Sequence, residues 1–197
     1  MTRPAYRRAE PDARRQSLIE AAARVLADRG AAGASVRTIC AEAGVSPGLL
    51  RHYFDGIDAL IAETYAWAGE RVSRALEEAV ADAGPEPRAR LTAYVTGSFR
   101  APIADPDLLA TWIAFWSLAR SNPAMEAMHR QVYADYLGPL EALLTECGVP
   151  AGAARMQAVA VTALVDGMWL ELCLAPGVFS PEEASATARD WIARLLG

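Results

Sequence analysis

The stretch GVSPGLLRHYF, residues 44–54, decides how the rest of the chain reads. It opens as a short helix, with Ser46 placed to accept backbone N–H bonds as N-cap and Pro47 suited to the first helical position. Arg51, His52 and Tyr53 then set three bulky polar groups side by side on a helix of about two turns, before a polar turn at residues 55–58. Such a helix needs one apolar side to anchor it and one side left free. Leu50 and Phe54, four apart, supply the first together with Val45, and Pro47, Gly48, Leu49, Arg51, His52 and Tyr53 are expected to face outward.

The preceding residues give that helix a frame. DARRQSLIEAAARVLADRG (12–30) carries Leu18, Ile19, Ala22, Val25 and Leu26 on one stripe and ends at Gly30, a good C-terminal stop. SVRTICAEAG (35–44) follows, with Ser35 as N-cap and Val36, Ile39 and Cys40 inward. Two short helices joined at Gly44 and Val45 behind a longer one describe a helix-turn-helix, whose second helix enters the DNA major groove.

Beyond it, apolar residues recur at three and four, and strand patterns are nearly absent. Helices are expected over 57–83, 88–100, 107–121, 123–147 and 154–175, and from SPEE (180–183) to 196, where the sequence brings its own N-cap, proline and first-turn acids. The predicted fold is all-α with about nine helices: a three-helix head and a larger helical body.

The net charge of −5 would by itself argue against a nucleic-acid partner. Its distribution reverses that inference, because residues 1–54 hold nine arginines against five acids, leaving −9 for the remainder. All 19 basic residues are arginine; a GC-rich genome accounts for that bias, and arginine's planar fork also suits phosphate and guanine. Cys40, Cys147 and Cys173 lie far apart with no C-x-x-C pair, so free, mostly buried thiols are expected, with no metal site. No apolar run long enough to span a bilayer and no secretion signal are evident, which predicts a soluble, cytoplasmic protein with no membrane partner. An enzyme is disfavoured: only His52 and His129 are present, there is no phosphate-binding glycine loop, and VTGSF (95–99) lacks the second glycine and the strand context of a nucleophile elbow. No cofactor is expected.

Residues 13–60, through AGVSPGLLRHYF, the following DGIDAL and the earlier SVRTICAEAG, resemble the DNA-binding domain of the TetR family of bacterial transcriptional regulators. The resemblance implies a DNA-binding domain over 10–60 and a ligand-binding, dimerising domain over 61–197. It also implies roles: Pro47, Gly48, Leu49 and Arg51 at base edges, Arg37 reaching DNA from the preceding helix, and His52 and Tyr53 at phosphates, with Ser46 capping the reading helix. Tyr53 and His52 packing against the next helix is the structural alternative. Two positions depart from the family pattern. Arg51 stands where tyrosine is usual, and can read guanine for about 1–3 kcal/mol of discrimination. Ile57 stands where a phosphate-binding lysine is usual, removing about one phosphate contact. Arg3, Arg7, Arg8, Arg14 and Arg15 either compensate from an arm reaching the DNA or form a solvated tail.

LLATWIAFWSLARSNP (108–123) and AVTALVDGMWLELCLAPG (160–177) resemble the choline-responsive branch of the same family. Trp112, Phe115, Trp116, Asp166 and Trp169 there form a candidate cage for a quaternary ammonium or other cation, through ring faces and a carboxylate. The alternatives are that the tryptophans are core and that Asp166 pairs with an arginine or crosses a dimer interface. The apolar helix 154–175 and the last helix, with Trp191, Ile192, Leu195 and Leu196, are the expected homodimer interface, and a two-fold dimer matches a palindromic operator. The whole reading is a ligand-responsive repressor of double-stranded operator DNA. The alternative is a helical interaction or lipid-binding protein with a degenerate helix-turn-helix, which would bind DNA without salt dependence or not at all.

Overall fold

The computed structural model describes residues 11–120 and 122–197. Arg3, Arg7 and Arg8 of the expected arm lie outside the described residues. Nine helices and no strands occur among them: α1 (Pro11–Gly33), α2 (Val36–Ala43), α3 (Pro47–Tyr53), α4 (Ile57–Asp82), α5 (Pro87–Gly97), α6 (Pro106–Ala119), α7 (Pro123–Glu146), α8 (Ala151–Leu174) and α9 (Pro181–Leu196).

Local chemistry sets most of the boundaries. Gly30 takes φ 62°, so α1 loses helical geometry where a stop was expected and only a last turn continues to Gly33. Ser35 and Thr38 form a reciprocal capping box on α2, and Ser180 and Glu183 do the same on α9. Asp105 and Asn122 cap α6 and α7 ahead of a proline in each case.

Two apolar cores result. In the head, Leu18, Ile19, Ala22 and Val25 of α1 close on Ile39 and Cys40 of α2, Leu50 of α3, and Phe54 and Leu60. In the body, α4 to α9 bury Leu76, Leu91, Val95, Phe115, Leu144, Val161 and Ile192 in one cluster. The α1 stripe serves both, since Leu26 belongs to the body cluster. Helix α4 spans the two without a break, with Leu60 in the head core and Ile61 in the body core. Its Gly69 lets α7 approach closely: a Cβ there would stand 2.9 Å from Val132 Cγ1.

The two expected interface helices differ, and the expectation of no apolar run long enough to span a bilayer needs correction. On α9, Ile192 enters the core and Trp191, Leu195 and Leu196 are half-buried against it. Helix α8, in contrast, is long and apolar enough by length and composition to cross a membrane, and only 28% of its most apolar window is buried. Its outer side shows Met156 (59% exposed), Val159 and Leu174 (64% exposed), with Ala160, Ala163 and Gly167 between them.

Candidate functional sites: a reading helix and an aromatic cavity

The turn between α2 and α3 is fully formed. Gly44 adopts φ 65°, which closes α2, and Val45 N–H donates to the Cys40 carbonyl at 2.9 Å. Ser46 Oγ then accepts from Leu49 N–H at 3.3 Å, with Pro47 in the first turn. Buried Leu50 and Phe54 seat the helix, while Ser46, Pro47, Gly48, Arg51 and His52 are exposed. Leu49 is half-buried. Tyr53 is half-buried as well: it packs on the head core and meets the His52 ring edge-on at 5.0 Å. The packing alternative therefore describes part of Tyr53 but not His52. On α2, Arg37 is exposed, and neither it nor Arg51 makes a hydrogen bond or salt bridge among the described residues.

Of the two arm arginines within the described residues, Arg14 likewise makes no hydrogen bond or salt bridge among them, and Arg15 behaves differently. Arg15 pairs with Glu63 across α1 and α4 and lies over the Phe54 ring at 5.0 Å, so it braces the head instead of reaching away from it. Ile57, partly buried at the start of α4, packs against both cores and offers no charge to a phosphate.

The second site is a cavity of about 500 Å³, mouth included, among α4, α6, α7 and α8. Four of the five expected residues meet there: Trp112 and Trp116 from α6, Asp166 and Trp169 from α8. The rings of Trp112 and Trp169 are 6.3 Å apart and tilted by 46°. Phe115 stands behind this wall, fully buried and stacked on Tyr65 at 4.2 Å. Tyr65 in turn meets Trp112 edge-on and shares a 2.7 Å hydrogen bond with His129 Nδ1.

Asp166 has no salt-bridge partner among the described residues, contrary to the arginine alternative. The Tyr133 hydroxyl donates to it instead. Burial pushes its carboxyl up to about 7, and the same cause raises Tyr65, with the Asp166 charge adding, and lowers His129. Tyr133 and Tyr136 complete the aromatic wall and were not singled out in the sequence. Their signal was available: His129, Tyr133 and Tyr136 recur at four and three along α7. A shallower groove on the outer side shares Trp116, Tyr133 and Asp166 with the cavity and adds Arg120, Glu126 and His129.

A helix-turn-helix with one unpaired arginine on each of its two helices, carried by a helical body with an aromatic cavity, is the plan of a DNA-binding transcriptional regulator. Residues 18–64 match the bacterial regulatory proteins of the tetR family, and residues 87–197 match the C-terminal part of BetI-type transcriptional repressors. The chain belongs to the TetR family of DNA-binding transcriptional regulators, with a BetI-type body, and not to a family of enzymes. It is 32% identical over 188 residues to the HTH-type transcriptional regulator BetI of Pectobacterium atrosepticum, covering 93% of this chain and 94% of that one. A solved transcriptional regulator from Pseudomonas aeruginosa PAO1 superposes with a TM-score of 0.87 at 40% identity, over 98% of this chain and 95% of its own. A regulator from Saccharomonospora viridis, solved in complex with choline, shares the fold with a TM-score of 0.77 at 20% identity, over 92% of this chain and 96% of its own.

Proposed function

We propose that the protein is a dimeric, cytoplasmic repressor whose head (10–60) binds a palindromic operator and whose body (61–197) dimerises and takes an organic cation as effector. The observation that carries the effector reading is Asp166: a carboxylate in an aromatic cavity, without a cationic partner among the described residues. Indole and phenol faces attract an onium by about 0.5–2 kcal/mol each, and more when water is excluded. A carboxylate beside them gives the site its sign. The choline bound to the Saccharomonospora relative supports the same class of ligand.

On the DNA side, Arg51 from α3 reads a base edge, while Arg37, His52 and Tyr53 hold phosphates. Pro47, Gly48 and Leu49 form the surface that enters the groove, and Ser46 holds the helix start. Two copies place their reading helices about one DNA turn apart, roughly 34 Å. The uncovered apolar side of α8 supports the dimer, since a second copy laid against it would remove that surface from water.

Helix α6 links the two sites. It presents Trp112 and Trp116 to the cavity, and the Thr111 hydroxyl shares its one proton between the Asp107 backbone carbonyl of its own helix at 2.7 Å and the Ala23 carbonyl of α1 at 3.3 Å. A cation that prefers one position of α6 therefore shifts the population of head orientations.

Fluorescence anisotropy of labelled promoter DNA at two salt concentrations, with and without tetramethylammonium or choline, tests the reading. Salt-dependent binding whose affinity changes with the cation is expected. Binding indifferent to salt would favour the helical interaction protein.

A further inference from the structure

Helix α7 closes the cavity with a single layer of side chains. On its α8 side, Trp116, Tyr133 and Asp166 line both the cavity and the outer groove. On its α4 side, Gly69, Ser73 and Val132 line both the cavity and a second surface groove. The helix is also anchored unevenly. Over 123–135 only Met125 is buried, whereas Leu140, Leu143 and Leu144 all sit in the body core. Between the two parts, Pro139 lies inside the helix and has no N–H to offer the Asp135 carbonyl one turn earlier. Sharp helix bends concentrate at prolines. The chain just before this one is held: the Tyr94 hydroxyl donates to the Tyr136 carbonyl at 2.7 Å, and the Tyr136 hydroxyl shares a 3.3 Å bond with Ser98 Oγ. Two side-chain hydrogen bonds tie 123–135 to the rest of the body, Tyr133 donating to Asp166 and His129 Nδ1 sharing a 2.7 Å bond with the Tyr65 hydroxyl.

We propose that residues 123–135 are the door of the cavity: they swing about residues 136–139, and the Tyr133–Asp166 hydrogen bond is the latch. This rests on the reading that the cavity takes an effector, and it adds how the effector enters and leaves. Opening breaks the latch, lifts Met125 and Val132 off the body, and joins the cavity to the groove that holds Arg120, Glu126 and His129. Asp166 lines both spaces, so an entering ligand meets the carboxylate as the latch releases it. The swung-out segment does not persist as a helix, because isolated helices shorter than about 12–15 residues are marginal in water. Its amides therefore exchange with solvent whenever the door opens. Fraying from Pro123 inward is the competing account, and fraying would not depend on Pro139, which lies beyond the far end of the segment.

Hydrogen exchange of the unliganded full chain tests the door without any ligand. Amides over 127–135 are expected to exchange about tenfold or more faster than those over 141–146. Tyr133→Phe removes the latch hydroxyl and should speed exchange over 127–135 by about threefold to tenfold, the range that loss of one hydrogen bond supports. Pro139→Ala restores the missing N–H, lies outside the cavity lining, and should slow exchange over 127–135 by about tenfold. Stopped-flow tryptophan fluorescence with choline then reads the traffic. In Pro139→Ala both association and dissociation should be about tenfold slower, with Kd within about twofold of the wild type, because the hinge acts on opening and not on the bound ligand. Equal protection along α7, exchange over 127–135 indifferent to either substitution, or choline rates unchanged by Pro139→Ala overturns the door while leaving the cation reading intact. If choline does not bind the wild type, the cation reading fails, and the exchange comparison alone decides for or against the door.

Discussion

The head and the body treat their polar side chains in opposite ways. On α2 and α3, Arg37 and Arg51 stand exposed with no hydrogen bond or salt bridge among the described residues, so their donors are available to something outside the chain. Around the cavity, most polar groups are bonded internally: Tyr133 donates to Asp166 and Trp169 to the Ser98 carbonyl, and among the described residues only the Trp112 Nε1 is a buried side-chain donor without a partner. The difference follows from the partners. DNA is a polyanion met across open water, where each contact is weak and many are needed. A small cation is enclosed where the dielectric is low, and there one charge is enough to decide the sign of what binds.

The largest test asks whether the two cores are separable. Leu50 is fully buried in the head cluster, and Leu50→Ala should cost about 2–5 kcal/mol through lost burial and the cavity left behind. Thermal unfolding should show a lowered transition and operator binding should fall away, while the tryptophan response to a cation persists. Loss of both responses together would mean that head and body fold as one unit, and the comparison would lose its basis.

Next in size is Asp166. Its carboxyl titrates at about 7 in the folded chain against an ordinary 3.8, because burial favours the neutral form. A cation needs the ionised form. Affinity should therefore fall about tenfold per pH unit below 7 and level off above it. Stability runs the other way: the folded chain holds a proton that the unfolded chain has lost, so stability declines as pH rises from about 4 to 7. Asp166→Asn should flatten both profiles and weaken cation binding on the order of a hundredfold, the scale of one charge-assisted contact. A pH profile that survived the substitution would move the titrating group elsewhere, with His129 the neighbour to examine.

Much of this was legible in the sequence for a local reason. A cap is decided within four residues, so Ser35, Ser46 and Ser180 could be read where they stand. The start of α3 could be read for the same reason, and the face that Leu50 and Phe54 bury followed from their spacing. Trp112, Trp116, Asp166 and Trp169 were found as pairs on their own helices, because helical spacing reports which residues share a face. It does not report which neighbour that face meets. The composition of 154–175 and of the last helix marks both as needing cover, but does not show that α8 leaves Met156, Val159 and Leu174 exposed while α9 packs Ile192 into the core. Arg15 was placed in a free arm because its partner Glu63 is 48 residues away. Tyr133 and Tyr136 share a face of α7 with His129 by their spacing, but that spacing does not say that the face meets α6 and α8, and the orientation of an indole N–H has no sequence signature.

Arg51 tests the head's side of the comparison directly. Arg51→Ala should cost about 1–3 kcal/mol on the operator and relax specificity at one base pair per half-site. Competition between operator and random DNA measures it. Equal loss on both would assign the guanidinium to a phosphate.

Gly48 gives the smallest effect and the cleanest separation of fold from function. It lies in the first turn of α3, is exposed, and has no positive φ. A Cβ added there would meet only Ser46 Oγ, at 3.8 Å, which is ordinary contact. Nothing in the folded chain therefore requires glycine, and glycine costs a helix about 0.5–1 kcal/mol relative to alanine. Gly48→Ala should stabilise the head by up to that amount in a denaturation experiment. If the surface formed with Pro47 and Leu49 enters the groove, the same methyl group stands between helix and base edges, and operator affinity should fall as stability rises. A variant that gained stability and kept full operator affinity would show that α3 meets DNA farther along, through Arg51 and His52, with its first turn held away from the bases.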